Sequence, residues 1–598
     1  MKLSDYVFEF IALQRVKHVF TVPGGGAMHL NDSLGVRADV EFVCNLHEQA
    51  SAMAAETYAK ATDHLGVALV TTGPGSTNAI TGVAGAFLDS TPCVFISGQV
   101  KRPDMKAKTG VRQMGVQEVD IVSIVSPITK YAVTVMDPSA IRYHLERAVY
   151  IAQSGRPGPV WIDIPLDVQA STVEPAQLDG FVPETEDAAA PSFDRNAVAK
   201  VIELLNAAER PILLAGNGIR LSRAQSEFRA LIERLGIPVL TTWLAVDLLP
   251  FDYPLLVGRP GVVAPRGVNF ALQNSDLVLS IGSRIDFTIT GYAPDRLARG
   301  AKKVMVDIDP AELNKLSGHI DLPICADAKA FINALLAEGD KLAPNDWSPW
   351  KRRCTEWKTK YPVVLPEHRR PDQRVSTYYL AEILSEELRE DELIVSGSSG
   401  AGIEIFQHAL TLKKGQRLFH TTALGAMGYG LPAAIGACLG TDHRETILVD
   451  GDGGIQMNIQ ELATVERLGL PIKMFILNND GYSSIRTSQQ RWFGRLMGAD
   501  RSSGLALPDI VKVAAAYGLQ TARIEDQSNL RADVRAVLDT PGPVVCDVVS
   551  LPDEARIPSL SSAQRADGSL VSKPLEDLWP FLDREEFRAN MIVAPLEE

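Results

Sequence analysis

Two carboxylates and an amide pair lie where the chain could bind a cation together with phosphate. Asp450 and Asp452 fall in the turn DGDGG directly after an apolar run (446–449), and the pair Asn478-Asn479 ends the next apolar run. A glycine-rich turn between a strand and a helix lets main-chain N–H groups approach phosphate. Because carboxylates in such a turn would repel phosphate, they predict a divalent cation between the protein and its ligand.

The spacing of these residues predicts a Mg²⁺ site. Asn479 follows Asp452 by 27 positions, which places both at the carboxyl ends of neighbouring parallel strands. A carboxylate, an amide oxygen, a main-chain carbonyl, two diphosphate oxygens and a water would complete the octahedral oxygen shell that Mg²⁺ prefers. We assign the protein's share to Asp452, Asn479 and the carbonyl of Gly481.

Glu48 is a further candidate functional residue. It lies between a short apolar strand (40–44) and a helix rich in small residues. A carboxylate at a helix N-terminus is favoured by the helix dipole alone, so a purely structural role stays open at this point. The small residues that follow predict close helix packing and no ligand contact. They are Ala50, Ser51, Ala52, Ala54 and Ala55.

The elements that must position these side chains follow an α/β pattern. Short β-branched runs alternate with Ala- and Leu-rich helical stretches, which predicts parallel sheets covered by helices. We predict three doubly wound parallel-sheet domains, at residues 1–172, 193–340 and 375–550, followed by a tail at 551–598 that could act as a lid or a partner-facing arm. Linkers rich in Pro and charged residues are expected at 174–192 and 344–374.

Composition excludes several classes of protein. The formal net charge of −14 argues against nucleic-acid binding, which needs clustered basic residues. Six cysteines without a CxxC pair suggest neither a zinc site nor disulfides, so we expect a reducing, cytoplasmic setting. An uncharged apolar run of about 18 residues is absent from the sequence, so no membrane span is expected.

The motifs resemble those of thiamine diphosphate (ThDP) enzymes, whose signature is GDG followed by NN. Within that family the chain is most similar to acetohydroxyacid (acetolactate) synthase catalytic subunits and to their FAD-containing carboligase relatives that make branched-chain sugars. The resemblance extends to about residue 550. It rests on PGG, HEQ, TTGPGSTNAITGVAGAFLDSTP, SGQV, VQEVD, SGRPGPVWIDIPLDVQ, GYGLPAAIGA and DGDGGIQMNIQELAT.

This resemblance implies a pyrimidine-binding first domain, a central FAD-type domain and a diphosphate-binding third domain. It implies that Glu48 is catalytic and hydrogen-bonds N1′ of the aminopyrimidine, and that Gly425 and Met427 bind the pyrimidine and support the coenzyme's bent form. The remaining residues assigned to ThDP and its metal are Pro23, Gly24, Gly25, Gly73, Asn78, Gly451, Gly453, Gly454 and Tyr482, besides Asp452, Asn479 and Gly481.

The resemblance also implies a homodimer or homotetramer with active sites at the subunit interface. A regulatory subunit is not indicated by any motif. The family's FAD, a largely structural group, would contact residues spread over the first two domains. They are Arg156, Gly216, Gly218, Arg284, Asp309 and Asp327. The family's GMHG is replaced here by GVVA (261–264), which weakens the match to a flavin site.

The chain departs from the synthases where these receive the second substrate. An arginine that holds the acceptor's carboxylate is replaced by Thr288, a tryptophan by Ser488 and an aromatic residue by Val116. Arg486 or Lys130 could substitute for the missing arginine. The predicted substrate pocket comprises Gly26, Val116, Gln117, Lys130, Thr288, Ile485 and Ser488.

These departures lead to a hypothesis about the reaction. We expect a carboligase, a lyase or transferase in class, that decarboxylates pyruvate or a related 2-keto acid and transfers the two-carbon unit to a carbonyl acceptor. An uncharged acceptor such as a nucleotide-linked keto sugar is preferred. A true acetohydroxyacid synthase remains an alternative, as do a pyruvate oxidase and a decarboxylase, although the adjacent histidines usual in decarboxylases do not occur in the sequence.

Overall fold

Three sheets of six strands organise the chain, and each follows from apolar, β-branched runs that are buried on both faces. The structure is a computed structural model that describes residues 1–106, 109–183, 193–397, 400–564 and 570–596. Every strand pair whose register is described within the three sheets is parallel. The predicted class, three α/β domains with parallel sheets, is confirmed; the predicted domain boundaries stay predictions.

The first and third sheets share one strand order. The first has the order β2-β1-β3-β4-β6-β5 and the third β14-β13-β15-β16-β18-β17. The first contains β1 His18–Thr21, β2 Glu41–Cys44, β3 Gly66–Val70, β4 Cys93–Gln99, β5 Tyr131–Thr134 and β6 Val160–Pro165. The third contains β13 Leu393–Ser396, β14 Arg417–Phe419, β15 Thr446–Gly451, β16 Ile472–Asn478, β17 Gln520–Ile524 and β18 Val544–Val549.

The second sheet has the order of a dinucleotide-binding fold. It contains β7 Pro211–Ala215, β8 Val239–Thr241, β9 Leu256–Gly258, β10 Leu277–Ile281, β11 Lys302–Asp307 and β12 Leu322–Cys325. Its order is β12-β11-β10-β7-β8-β9, which is 6-5-4-1-2-3 in local numbering. From β7 the chain adds strands toward one edge of the sheet, and from β10 it adds them toward the other edge. The position between β7 and β10 is therefore the switch point, where ligands bind in open α/β sheets.

Helices cover the sheets. In the first part of the chain they are Leu3–Leu13, Met28–Gly35, Glu48–Thr62, Pro74–Asn78, Ile80–Leu88, Ile121–Val125, Ile141–Gln153 and Leu166–Gln169. In the middle they are Asn196–Ala207, Gly218–Leu221, Gln225–Leu235, Arg266–Gln273, Phe287–Thr290, Pro310–Lys315, Ala328–Ala337, Ser348–Lys360 and Thr377–Glu387. The last are Ala401–Ala409, Gly430–Gly440, Leu462–Leu468, Ser483–Phe493, Ile510–Ala516, Leu530–Asp539 and Arg584–Asn590.

The chain forms two compact units. Unit 1 comprises residues 1–188, 392–403 and 418–553, and unit 2 comprises 189–391, 404–417 and 554–598. Part of the predicted linker at 174–192 lies outside the described residues, as do 565–569 and 597–598 of the tail. None of the described helices is long and apolar enough to cross a membrane.

Within unit 1, small residues let the helix Glu48–Thr62 pack closely. A Cβ on Gly436 would lie 2.1 Å from the main-chain oxygen of Ala54, and a Cβ on Gly82 would lie 2.4 Å from the Cβ of Ala52. Thr57 Oγ1 and Tyr429 OH are 2.9 Å apart. The small residues after Glu48 therefore serve packing, as their composition predicts.

The same helix carries a buried ion cluster. Lys60 Nζ lies 2.7 Å from Glu56 Oε1 and 2.9 Å from Asp89 Oδ2. Burial raises the pKa of Glu56 to about 7, and the two carboxylates hold the pKa of Lys60 well above its usual value in spite of its burial. This cluster is structural, because each charge in it is paired.

The tail of unit 2 contacts the central domain and does not extend away from it. Asn269 Nδ2 donates to Leu575 O at 2.8 Å, Asn274 Nδ2 to Asn590 O at 3.0 Å, and Trp357 Nε1 to Asn590 Oδ1 at 2.8 Å. The tail also contains the antiparallel pair β19 Ser562–Gln564 and β20 Leu570–Ser572. In this structure it is part of the central domain's surface.

Candidate active site

The turn after β15 holds Asp452 in a buried position. β15 and β16 are paired in parallel, with Gly451 opposite Leu477, so Asp452 and Asn479 follow adjacent strand ends. Asp452 Oδ1 accepts from Gly453 N at 2.8 Å and Oδ2 from Gly481 N at 3.0 Å. Burial raises the pKa of Asp452 to about 7, although main-chain N–H groups that donate to its carboxylate act in the opposite direction.

Asn479 completes the arrangement. Its amide nitrogen donates to Ser483 Oγ at 3.3 Å, whereas its side-chain oxygen is buried with no hydrogen-bond partner in the described structure. A buried amide oxygen without a partner is costly, and a cation is one partner that would relieve the cost. Gly481 has φ +125°, a value that favours glycine, and this turns the chain back toward Asp452.

Asp450 supports the turn from inside the protein. Its Oδ1 accepts from Gly451 N at 2.8 Å, and its other oxygen faces glycines: a Cβ on Gly430 would lie 2.4 Å from Oδ2. A Cβ on Gly454 would lie 2.6 Å from Oδ1. Burial raises the pKa of Asp450 to about 7. Space beside Gly451 is open, since nothing lies within 4 Å of a Cβ placed there.

Glu48 begins its helix in a defined position. His47 is the N-cap, and its Nδ1 accepts from Gln49 N at 3.0 Å. Glu48 is 9% exposed, and its Oε2 accepts from Asn78 Nδ2 at 3.0 Å. The carboxylate is thus oriented by Asn78, a residue assigned to cofactor binding from the sequence.

The glycine loops of the first sheet lie close together. A Cβ on Gly24 would lie 2.5 Å from Thr71 Cγ2, and Gly26 N donates to Thr71 Oγ1 at 3.1 Å. Gly73 has φ +62°, and a Cβ there would lie 2.2 Å from Gln117 O. These glycines are required for the close approach of the loops; the Gly25 position is open and available to a ligand.

The predicted pyrimidine loop lies in unit 1 before the helix Gly430–Gly440. Gly425 has φ +64° and Gly428 φ +85°. Buried Asn458 holds this loop: its Nδ2 donates to Gly428 O at 2.8 Å and to Gln49 Oε1 at 3.1 Å. Gln49, directly after Glu48, is therefore linked to the loop that contains Met427.

The predicted substrate residues of unit 1 differ in accessibility. Val116 is 86% exposed and Ile485 43% exposed, and Ser488 Oγ donates to Ile485 O at 3.1 Å. Lys130 Nζ is directed at main-chain carbonyls, with Ser154 O at 2.6 Å and Ile151 O also accepting. Burial lowers the pKa of Lys130 to about 8.

Arg486 binds the turn that contains Asn479. Its Nη2 donates to Asn479 O at 3.0 Å and to Pro552 O, and its Nε donates to Asp553 Oδ1 at 2.7 Å. Its side chain is 10% exposed. Because Arg486 and Lys130 both donate to main-chain carbonyls, neither presents a free charge to a substrate carboxylate in this conformation.

In unit 2, Thr288 lies at the start of the short helix Phe287–Thr290. Asp286 is its N-cap, and Asp286 Oδ1 accepts from Thr288 N at 3.0 Å and from the Thr288 hydroxyl. Thr288 O accepts from Val262 N at 2.8 Å, within the segment GVVA. The Thr288 hydroxyl, which stands where the family has an arginine, thus already donates a hydrogen bond to Asp286.

The residues assigned to FAD in unit 2 lie at the carboxyl edge of the second sheet. Gly218 N donates to Gly282 O at 2.9 Å, and a Cβ on Gly216 would lie 2.0 Å from the same oxygen. These glycines join the loops that follow β7 and β10, at the sheet's switch point. Asp309 and Asp327 are N-caps that accept from Ala311 N and Ala330 N, both at 2.9 Å.

Two arginines complete the FAD assignment. In unit 2, the Arg284 guanidinium makes a 3.9 Å contact with Asp286 Oδ2. In unit 1, Arg156 Nε donates to Ser90 Oγ at 2.9 Å. Arg284 retains donors for a ligand at the switch point.

Three family models match the chain in the order expected from this geometry. They are described as thiamine pyrophosphate enzyme, N-terminal TPP binding domain (residues 1–124), central domain (198–335) and C-terminal TPP binding domain (400–548). The chain belongs to the thiamine pyrophosphate enzymes. The N-terminal match includes β1 to β4 of the first sheet, and the C-terminal match includes β14 to β17 and most of β18 of the third, which has the same strand order. The central match includes all six strands of the sheet with the dinucleotide-binding order.

Curated relatives of this thiamine pyrophosphate enzyme are similar over almost its whole length. Acetolactate synthase 2, chloroplastic, from Nicotiana tabacum is 33% identical over 94% of this chain and 84% of its own. The acetolactate synthase large subunit from Cyanidium caldarium is 33% identical over 93% of this chain and 94% of its own. Acetolactate synthase, chloroplastic, from Arabidopsis thaliana is 32% identical over 94% and 83%.

The site of this thiamine pyrophosphate enzyme fits its implied ligands to different degrees. For Mg²⁺ and diphosphate the fit is good, because the partnerless Asn479 oxygen, the Asp452 carboxylate and the open space at Gly451 occur together. The described residues contain no group of three or more His, Cys, Asp or Glu side chains that could hold a metal ion. For FAD the fit is partial, because packing and helix capping account for most of the assigned residues.

Sequence reasoning missed two residues that shape the site. Glu461 accepts from Asn45 Nδ2 at 2.8 Å and from Leu46 N at 2.9 Å, which fixes the segment before Glu48. Its position in the motif DGDGGIQMNIQEL was the available signal. Glu118 accepts from Met114 N at 2.8 Å and Gly115 N at 3.3 Å, and its place in VQEVD was a comparable signal.

Proposed function

We propose that this chain is a ThDP-dependent carboligase that decarboxylates pyruvate or a close 2-keto acid and transfers the two-carbon unit to a carbonyl acceptor. The observation that carries the proposal is the oriented, nearly buried carboxylate of Glu48 in a chain that also buries Asp452 and leaves the amide oxygen of Asn479 without a partner among the described residues. Bound ThDP would supply the nucleophilic carbon and the electron sink for loss of CO₂.

The chain's own residues would bind and move protons. Glu48, held by Asn78, would exchange a proton with N1′ of the aminopyrimidine, as general acid and base. Asp452, Asn479 and the Gly481 carbonyl would hold Mg²⁺ against the diphosphate. Gly425 and Met427 would position the pyrimidine. These roles support a lyase or transferase that requires its cofactor for every turnover.

For the acceptor, we favour an uncharged carbonyl compound such as a nucleotide-linked keto sugar. The hydrogen bonds of three side chains support this preference. The Thr288 hydroxyl donates to Asp286, and Lys130 and Arg486 donate to main-chain carbonyls. A carboxylate acceptor gains most from a free arginine, whose paired N–H groups match it. The second candidate is acetolactate synthesis from two 2-keto acids, which the names of the similar relatives favour.

We further propose that the enzyme is a homodimer or homotetramer whose active sites combine residues of two copies. Apolar side chains exposed next to the predicted catalytic segments support this: Leu46 is 56%, Leu424 37% and Met457 47% exposed. FAD is proposed as a second cofactor at the switch point of the second sheet, with Arg284 as its main side-chain contact. A cytoplasmic location remains our expectation.

One experiment separates the candidate reactions. Purified protein with ThDP, Mg²⁺ and labelled pyruvate is incubated alone and with panels of 2-keto acids, aldehydes and nucleotide-linked keto sugars, and products are identified by mass spectrometry. Rapid acetolactate formation from pyruvate alone would favour the second candidate; acetaldehyde or O₂-dependent acetate would indicate a decarboxylase or an oxidase. Glu48→Gln should abolish every product, whereas the exposed control Glu9→Gln should not.

A complementation assay tests the shared active site. Glu48→Gln and Asp452→Asn variants, each inactive, are mixed after mild dissociation. If Glu48 of one copy acts with Asp452 of another, mixed oligomers regain part of the activity; complete inactivity of mixed oligomers shown to have formed would contradict the proposal. The absorption spectrum of the purified protein near 450 nm, with and without Arg284→Ala, tests the flavin.

A further inference from the structure

One short helix of the third domain contacts the chain on both sides of Glu48, and all of these residues lie in unit 1. It is the 3₁₀ helix Ile455–Glu461, which begins directly after the turn DGDGG. Two of its side chains make the contacts, those of Asn458 and Glu461, and both are fully buried. The helix therefore connects the turn that contains Asp452 with the predicted catalytic carboxylate.

Glu461 binds the two residues that precede the N-cap of the helix that Glu48 begins. Its Oε1 accepts from Leu46 N at 2.9 Å, and its Oε2 accepts from Asn45 Nδ2 at 2.8 Å. Oε2 also accepts from Thr464 Oγ1 at 2.7 Å. The side chain of Leu46 is 56% exposed, so its packing does not fix this segment. The carboxylate of Glu461 therefore holds the main chain where it enters the helix.

Asn458 binds the residue that follows Glu48. Its Nδ2 donates to Gln49 Oε1 at 3.1 Å and to Gly428 O at 2.8 Å. Its Oδ1 accepts from Gln460 Nε2 at 3.1 Å. Both N–H groups and the oxygen of this amide are thus in use, which fixes the orientation of the side chain.

The main chain around Glu48 matters because proton exchange depends strongly on distance. A carboxylate that exchanges a proton must lie about 2.6–3.2 Å from its partner atom. A displacement of about 1 Å can slow a reaction step by about 100-fold. Asn78 holds one oxygen of the Glu48 carboxylate. The other end of the side chain is fixed by the main chain, whose neighbouring residues are those that Glu461 and Asn458 bind.

We propose that Glu461 and Asn458 are positioning residues that set the geometry of proton exchange at Glu48. The inference rests on the proposed function, because it takes Glu48 as the group that exchanges the proton. Both residues act through hydrogen bonds to the neighbours of Glu48. A carboxylate is required at position 461 because it accepts every one of its hydrogen bonds. An amide there would direct N–H groups at groups that are themselves donors.

The test measures proton exchange as well as turnover. Under the proposed function, the exchange of the thiazolium C2 proton of bound ThDP with solvent depends on Glu48, and NMR after acid quenching in D₂O gives its rate. At saturating ThDP and Mg²⁺, Glu461→Gln should slow this exchange at least tenfold. In the protein without cofactor, hydrogen–deuterium exchange should show that the Leu46 amide has lost its protection. A wild-type rate of C2 exchange in Glu461→Gln would overturn the proposal.

Thr464→Val is the matched control for stability. It removes one hydrogen bond to Glu461 and leaves the contacts with Asn45 and Leu46 in place. It should lower the melting temperature and keep the wild-type rate of C2 exchange. Equal slowing in Thr464→Val and Glu461→Gln would mean that lost stability alone is responsible, and the proposal would fail.

Two more variants complete the test. Gln49→Met removes an acceptor of Asn458 at a partly exposed position, so it should fold and slow C2 exchange at least threefold; an unchanged rate would count against the proposal even if Glu461→Gln does not fold. Glu48→Gln separates the two claims. If Glu48→Gln leaves C2 exchange unchanged, the proposed function fails. If it abolishes the exchange while Glu461→Gln and Gln49→Met keep the wild-type rate, only this inference fails.

Discussion

Replacing Arg486 by lysine should weaken binding of the metal and the cofactor while leaving substrate affinity unchanged. The guanidinium of Arg486 contacts Asn479 O, Pro552 O, Asp553 Oδ1 and, at 3.4 Å, Asp480 O. Lysine keeps the charge, but its three N–H groups diverge from one atom and cannot reproduce the planar fork. At least two of these contacts are lost in the Arg486→Lys variant.

The magnitude follows from the type of contact and its burial. Hydrogen bonds to charged groups contribute about 1.5–3 kcal/mol each. The carboxylate of Asp553 is 65% exposed and regains water, so we expect a loss of about 2–4 kcal/mol in the free energy of unfolding of unit 1. Residues that orient metal ligands typically change metal affinity by about 10–100-fold, so Mg²⁺-dependent ThDP binding should weaken by a factor in that range.

The affinity for the cofactor is measured by titrating ThDP at saturating Mg²⁺, and Mg²⁺ at fixed ThDP, while the quenching of protein fluorescence is followed. The KM values for the donor and the acceptor are then measured with the cofactor-saturated enzyme. Arg491→Lys is the matched control, because Arg491 is on the same helix with its Cζ 5.3 Å from the Trp492 ring centroid, in contact with neither strand end. Unchanged cofactor affinity together with a raised KM for a carboxylate substrate would refute the reasoning and make Arg486 a substrate-binding residue.

Three further changes address packing, burial and pH. Gly436→Ala should lower the melting temperature, at a cost of about 1–3 kcal/mol, because its Cβ would lie 2.1 Å from Ala54 O; Gly35→Ala, with nothing within 4 Å, should not lower it. Lys60→Met should cost about 3–5 kcal/mol in urea unfolding because it leaves two buried carboxylates unpaired, and a loss below about 1 kcal/mol would argue against the ion cluster. Burial raises the pKa of Asp163 to about 7, so its contribution to stability is fully present below about pH 4 and is lost as the pH rises through about 7. Asp163→Asn should flatten the dependence of unfolding free energy on pH between 5 and 8, and parallel profiles for the two proteins would contradict this.

The alternation of apolar runs was sufficient to predict three parallel sheets, because strands buried on both faces leave a signal of their own in the sequence. The spacing of Asp452 and Asn479 likewise predicted adjacent strand ends, which β15 and β16 provide. The sequence did not reveal the strand order, since pairing between β1 and β3 or between β7 and β10 depends on tertiary contacts that no local pattern records.

The role of long polar side chains was also beyond sequence reasoning. From the sequence, Arg486 and Lys130 are candidates to replace a substrate-binding arginine, whereas in the structure both donate to main-chain carbonyls. Whether a cation is free depends on which carbonyls and carboxylates the fold brings near it. That information is absent from the spacing of residues along the chain.

The shared order of the first and third sheets places the proposed site residues at corresponding strand ends of the two domains. Glu48 follows β2, and the loop with Gly425 and Met427 follows β14, the strand at the same place in the third sheet. The helices that begin after these segments pack together, with Gly436 against Ala54. The turn after β3, TTGPG, corresponds in the same way to DGDGG after β15. The turn after β3 has no carboxylate, so it offers no counterpart to Asp452, and we propose the metal and the diphosphate only at the third domain. If two copies share each active site, as we propose, the first domain therefore contributes Glu48 to a coenzyme that the third domain holds.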